Sequence, residues 1–239
     1  MATQLTGPGP LVVAQQLMSE SVDQLHNLGE LVFSNDGRAF RYCKAGATAL
    51  VKGKLQQSPT EDTGPQNLTA VANAIGDITA VSTTTVTITA NEYAGGYVLV
   101  TVTPDLGQQY LIKGHAAYTA AAPTLTLSDP IVVAWTTGTR IDLVRNPLFK
   151  VVVNPTTATS APVGVAVFNI TAAYFGWLQV GGVANILNDG GSTVGTNVSA
   201  SNATAGAVEA AVTAQAAIGV AVTGVATTEY GAIKLFGLL

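Results

Sequence analysis

Charge is what this sequence has least of. Its 239 residues include 10 Lys and Arg and 14 Asp and Glu, so charged side chains make up 10% and the net charge is −4. Ordinary soluble domains carry about 25%. Thr, Ala, Gly, Ser and Asn take the place of the missing charges. The result is a polar but neutral surface with little repulsion to hold copies apart, which suits a subunit of an assembly better than a free monomer. No cluster of Lys and Arg exists to give a phosphate backbone an electrostatic footing, so nucleic acid is not an expected partner. The single cysteine, Cys43, excludes a disulfide framework within one chain. Between Tyr42 and Lys44 it reads as a small hydrophobe in a strand.

Leader and membrane signals are missing too. The first 19 residues hold no Lys or Arg, and Leu11–Ala14 is too short for the apolar core of a signal peptide. No run approaches the ~18 apolar residues of a membrane span. The expectation is a chain made in a cytoplasm, left unprocessed, with no membrane partner.

The residues of catalysis are equally sparse. His26 and His115 are the only imidazoles, neither lies at ligand spacing, and one cysteine cannot complete a Cys/His zinc site. Phosphate-loop, dinucleotide and nucleophile-elbow motifs are absent. The adjacent acids Glu61-Asp62 sit in a Pro/Gly linker and read as a solvated loop. Asp105, Asp129 and Asp142 fall at turns and strand ends, where Asp satisfies backbone groups, with a calcium site between loops as the minor alternative. Four Asn-x-Ser/Thr triplets, at Asn67, Asn169, Asn197 and Asn202, are expected by chance in a chain so rich in Thr and Asn. Trp135 and Trp177 lie in apolar runs and read as core. No catalytic residue, cofactor or metal is expected, and the chain is not read as an enzyme.

What the sequence does have is strand material. Val163–Leu187 carries no charge, is rich in Val, Ile, Tyr, Phe and Trp, and is interrupted by Gly164, Gly176, Gly181 and Gly182. It predicts two or three tightly connected strands with bulges or close backbone approaches at the glycines. Leu31–Phe33 and Arg38–Tyr42 flank Asp36-Gly37, a type I′ hairpin signal, with Phe40 and Tyr42 on one face. Gln56–Gln66 reads as linker. Ile78–Ala90, Tyr97–Thr103, Gln109–Gly114, Thr124–Leu127, Ile131–Trp135, Arg140–Val144 and Phe149–Val153 read as successive strands. Asn188-Asp189-Gly190-Gly191 is a second hairpin signal. In Thr204–Val222 the alanines favour helix, while Gly206, Gly219, the nearby Gly224 and the Ile218/Val220/Val222 alternation favour strand–loop–strand, which is preferred. Leu17, Val22, Leu25 and Leu28 have the spacing of one short helix. Gly-Pro-Gly-Pro at residues 7–10 fits neither helix nor central strand.

The fold class is therefore all-β: antiparallel β-sandwich or small β-barrel modules with an extended N-terminal arm. The arm spans residues 1–27, a hairpin segment over 28–66 packs with the C-terminal module, a sandwich or barrel domain covers 67–155, and a barrel-like module covers 156–239. The apolar arm residues Leu5, Leu11, Val12, Val13 and Leu17 are the candidate contacts with a neighbour, Leu11–Val13 as a strand added to a sheet edge.

Several segments carry a resemblance: Leu28–Glu30 with Asn35–Tyr42; Asn91–Tyr97 with Ser128–Ile131; Val163–Ala166 with Tyr174–Gln179; and Ile218–Ala221 with Glu229–Leu235. Together they resemble the head decoration, or capsid cement, proteins of tailed bacteriophages. The resemblance covers most of the chain from Leu28 onward and rests on glycine and aromatic turn patterns. It implies a virion structural protein on the exterior of an assembled capsid, bound to the major capsid protein and to itself, often as a homotrimer, and stabilising the shell. A head-fibre, tail-tube or tail-fibre subunit is the alternative, and a carbohydrate-binding adhesin a more distant one.

Overall fold

The computed structural model describes residues 14–212 and 215–238. In chain order the elements are a single helical turn α1 (Ala14–Leu17) and strands β1 (Leu31–Phe33), β2 (Ala39–Lys44), β3 (Leu55–Gln57), β4 (Leu68–Thr69), β5 (Thr79–Val81), β6 (Val86–Ile88), β7 (Tyr97–Val100), β8 (Gln109–His115), β9 (Tyr118–Ala121), β10 (Thr124–Leu127), β11 (Arg140–Val144), β12 (Val152–Val153), β13 (Pro162–Ala166), β14 (Phe175–Leu187), β15 (Asn197–Ala200), β16 (Val208–Ala210), β17 (Gly219–Ala221) and β18 (Tyr230–Phe236). The molecule is all-β and its strand pairs are antiparallel. It divides into two compact units: Met1–Thr60 with Pro147–Leu239, and the inserted Glu61–Asn146.

The first unit is built on β14. Its first six residues are buried on both faces, and from Val183 onward burial alternates. Phe175 and Trp177 pack with Val32, Phe40 and Tyr42, while Leu178 on the opposite face packs with Cys43, Val163 and Ile170. A strand covered on both sides has no place for a charge, which accounts for the uncharged run in the sequence. Midway the strand changes partners: Phe175–Gly181 pairs with β2, and Gly181–Leu187 pairs with β18. The register slips between Gln179 and Gly181, and Gly182 adopts φ +79°, a backbone conformation that bends the strand and that a side chain would strain. Gly176 serves by its lack of bulk, since a Cβ there would meet Ile170 Cδ1 at 2.6 Å. The sheet continues β18-β17-β15-β16 on one side and β13-β3-β12 on the other. Leu55 N–H donates to Gly206 O (2.8 Å), bringing the chain just before β16 back to β3 around a core that includes Leu55, Ile186, Val198, Val208 and Ile233.

The second unit is a six-stranded sheet, β4-β11-β7-β8-β10-β5. Its ends meet: Ala70 bridges Ser82, Val71 N–H donates to Val81 O (3.0 Å), and Thr83 N–H donates to Thr69 O (2.8 Å). Ring closure removes the two sheet edges that would otherwise template aggregation. Alternate residues of each strand, among them Val98, Val100, Ile112, Leu125, Ile141 and Leu143, fill the interior with Tyr93 and Trp135. The ribbon β6–β9 adds Val86 and Ile88 to that core.

Several sequence expectations are corrected. The Asp36-Gly37 hairpin is present, but only Gly37 has positive φ (+81°). Gly37 N–H donates to Ser34 O and Ser34 N–H to Arg38 O, so the loop has three residues, with the glycine closing it, and is not a type I′ turn. The helical spacing of Leu17–Leu28 yields no helix beyond α1, because Ser21 pairs in extended form with Phe175, leaving Val22 and Leu25 exposed. Gln56 and Gln57 are not linker but buried strand. Ile78–Ala90 splits at Ser82–Thr85, where the Ser82 hydroxyl bonds Thr69 O and Thr84 N–H. Ile131–Trp135 is not a strand: Ile131, Val132 and Trp135 donate their amides to Asp77 O, Tyr110 Oη and Asn73 O, so no ladder forms. Of Phe149–Val153 only Val152–Val153 is strand. Asn188–Gly191 turns no hairpin; β14 already pairs with β18, and β15 pairs with β16 and β17. Strands β16 and β17 stand where Thr204–Val222 was ambiguous.

Candidate functional site

Of the five candidate contact residues, Leu5, Leu11, Val12 and Val13 lie outside the described residues. Leu17 is 2% exposed and packs with Val32, Phe40, Tyr42, Phe175 and Trp177, so its side chain is taken up by the chain's own core. Met18, the next residue, is exposed and stands at the rim of a groove.

That groove, about 640 Å³, follows the partner-switching half of β14. Val165, Ala166, Val183, Ala184 and Ala232 form its apolar floor, Gln179 and Asn185 add amides, and Met18, Arg38, Lys52 and Tyr230 stand around it. Its size and its mostly apolar lining with a few polar groups are those of a binding cleft. The Tyr230 ring packs over Gly53, where a Cβ would meet Tyr230 Cε1 at 2.5 Å. Arg38 is held at the rim by Asp36 (Nε to Oδ2, 2.7 Å) and lies 5.3 Å from the Phe40 ring centroid. Asp36 is held below the usual carboxylate range, first by the Ser34 hydroxyl and then, against slight burial, by Arg38. Among the described residues no carboxylate, imidazole or thiol lines the groove, so what it offers is shape and apolar contact with two amides and two cations beside it.

Around the groove the sheet surface carries little charge. Val183, Lys234 and Val220 form one cross-strand row, and Phe236 stands opposite Gly181. In the second unit Val144, Tyr97 and Leu111 lie side by side across β11, β7 and β8, with Val144 and Leu111 exposed. The outer edge of β1 is open: among the described residues no backbone partner faces Leu31 or Phe33.

Part of the second unit's charge is drawn into one cluster. Arg145 pairs with Asp62 and, at 3.5 Å, with Glu92, and its guanidinium lies 5.5 Å from the Tyr93 ring centroid. The Tyr93 hydroxyl donates to Asp62 Oδ2 (2.8 Å). Burial alone would raise the Asp62 carboxyl, but the Tyr93 hydroxyl, Gly64 N–H and Arg145 outweigh it and hold it below its ordinary value. Burial and the same carboxylate push the Tyr93 phenol up. Asp62 is thus a structural anchor, not half of a solvated acidic loop. The buried Asp105 accepts from Tyr110 Oη (2.6 Å) and Trp135 Nε1 (2.9 Å), and Asp142 accepts from Asn67 N–H (2.6 Å).

Compared with protein-family models, curated proteins and solved structures, the chain matches none of them.

The remaining residues singled out in the sequence have structural placements. Burial of Cys43 pushes its thiol far above the ordinary value. His115 accepts from Tyr93 N–H at Nε2 (3.0 Å), leaving Nδ1–H to donate to Ala116 O (2.7 Å). His26 packs edge-on against Tyr42 and Trp177. Trp135 and Trp177 are 2% and 3% exposed, so neither presents a ring on which a sugar would stack. Among the described residues no three His, Cys, Asp or Glu groups gather as metal ligands, and no helix is long and apolar enough to cross a membrane. Sequence reasoning missed the groove, whose lining residues are spread from Met18 to Ala232, and the Arg145 cluster, for which only the Glu61-Asp62 pair gave a hint.

Proposed function

We propose that this chain is a virion structural protein of the capsid-decoration type, laid on the outside of an assembled phage head and stabilising it by contact alone. The observation that carries this reading is the distribution of charge. From Val151 to Leu239 the only charged side chains are Asp189, Glu209, Glu229 and Lys234. Exposed Val183 and Phe236 in the first unit, and the cross-strand row of Val144 and Leu111 in the second, add apolar surface to that neutrality. Burying such faces at a contact gains about 25 cal/mol per Å² of apolar area, offset by ordering costs. Many identical contacts around a shell would add avidity. The resemblance to decoration proteins in the glycine and aromatic turns points the same way.

The test is to add the purified protein to heads assembled without it. Saturable binding at a fixed ratio to the major capsid protein, with a raised disruption temperature of the heads, is the expected result. Failure to bind heads, together with antibody labelling on the tail of intact virions, would favour the tail-subunit alternative.

A further inference from the structure

We infer that one end of the second unit is the surface through which two copies of this chain pair about a two-fold axis, the same loops of each copy against the other. Strands β4, β7 and β10 run towards this end, and β5, β8 and β11 run back from it. The connections 70–78, 101–108 and 128–139 therefore gather there. Residues 65–67 and 145–146, close to where the chain enters and leaves the unit, lie at the opposite end. The three loops are tied to one another. Gly76 N–H donates to Ile131 O and Ile131 N–H to Asp77 O (both 2.8 Å), and Trp135 N–H donates to Asn73 O (2.9 Å). Asp105 holds Tyr110 and Trp135 from the middle loop, and Tyr110 Oη accepts from Val132 N–H (3.2 Å).

Connections are usually built of polar turn residues, yet these three expose Ile75, Ile78, Val102, Leu106, Val132 and Val133, with Ile75 at 69% and Leu106 at 61%. The segments at the opposite end, 82–96 and 116–123, expose no large apolar side chain, and the unit's other two, Leu111 and Val144, lie on strands. The six leave on the order of 500 Å² of apolar surface in water, the size at which a patch on a monomer is often functional. A standard interface takes about 800 Å² from each partner, and about 65% of a homodimer interface is apolar. One copy's loop end therefore supplies the apolar share of one such interface. Its charges point to a copy and not to a charged partner. No Lys or Arg lies in the three loops. Of their acids, Asp105 is buried and Asp77 accepts from Ala74 N–H (2.8 Å), which leaves Asp129 alone exposed. A patch that faces itself sets like side chains near one another, so near-neutrality is what it requires. Loops already locked by hydrogen bonds also lose little freedom on pairing.

The pairing concerns free chains in solution and does not rest on the head-binding reading. Sedimentation equilibrium of the full chain should show monomer and dimer exchanging with a Kd of about micromolar or tighter. Leu106→Lys with Val132→Lys brings cations from both copies into the contact and should weaken pairing about a hundredfold or more. Both positions are exposed, so Trp135 should keep its buried emission. Leu111→Lys with Val144→Lys, on the strand face of the same unit, should leave pairing unchanged. A chain that stays monomeric overturns the proposal, and so does a trimer. Pairing untouched by the loop substitutions, or weakened equally by both pairs, overturns it as well. As an independent measurement, the thiol of Val133→Cys should be alkylated more slowly as protein concentration rises, in step with the dimer fraction; the buried Cys43 does not compete for reagent. A rate that does not change with concentration while dimers form would place the contact elsewhere and sink the assignment.

Discussion

At the scale of single residues, two glycines show how differently the same substitution can act. At Gly96 an added Cβ would overlap the carbonyl oxygen of Val144 and lie 2.9 Å from the amide nitrogen of Asn146, both backbone atoms that cannot swing away. Gly96→Ala should cost about 1–3 kcal/mol or more, read as a lower urea midpoint at unchanged slope. At Gly37 nothing lies within 4 Å, but φ is +81°, so Gly37→Ala pays only for backbone strain, about 1 kcal/mol. Equal losses at the two sites would mean that crowding at Val144 is relieved by movement. Asp62 makes a pH prediction. Its folded value lies below that of an ordinary aspartate, so the unfolded chain binds the proton more readily. The stabilisation is complete above the unfolded value and is lost as pH falls through the folded one. Acid unfolding of the second unit should therefore steepen below about pH 4, and Asp62→Asn should flatten that part of the profile while lowering stability at pH 7.

At the scale of elements, β14 carries the first unit. Trp177 is buried near its start, with ring centroids 5.0 Å from Tyr42 and from His26 in edge contacts. Trp177→Ala is expected to cost about 3–5 kcal/mol, measured by urea denaturation; a loss under 1 kcal/mol would mean that the Phe40–Tyr42–Phe175 cluster collapses into the gap. The strands that could be read in the sequence are those whose signal is local: the run around Trp177, the Asp36-Gly37 turn, and the alternating residues of β8, β10 and β11. Those missed depend on distant partners. Gln56 and Gln57 look like linker, yet they are buried because β12 and β13 pair on either side of them. Ile131–Trp135 looks like a strand, yet its amides are claimed by three separate partners. The groove was illegible for the same reason: only the pairing of β13, β14 and β18 brings Val165, Val183 and Tyr230 together. The arm's apolar residues were plain in the sequence, but only Leu17 falls among the described residues, and it belongs to the core.

At the scale of the whole molecule, the second unit interrupts the first in sequence and closes on its own contacts. Near its start and end, Asp62 pairs with Arg145, Pro65 O accepts from Leu143 N–H (3.0 Å), and Asn67 N–H donates to Asp142 Oδ1 (2.6 Å). These bonds tie the entering and leaving strands together inside the unit, so the loop-closure cost that an insertion would impose is met locally. Its sheet ends are joined through Ala70 and Ser82, and its core from Leu68 to Leu143 is drawn entirely from its own residues. A fragment of residues 61–146 should therefore fold alone and unfold in one cooperative transition, followed by the fluorescence of Trp135, the one tryptophan it contains. Breaking the clamp with Arg145→Met should lower the fragment's midpoint more than the full chain's. In the full chain residues 60 and 147 also remain anchored in the first unit, which limits how far the two ends can part. Equal shifts would show that the clamp works only through the interior of the second unit. A fragment with no cooperative transition would show that the ring needs the first unit to close.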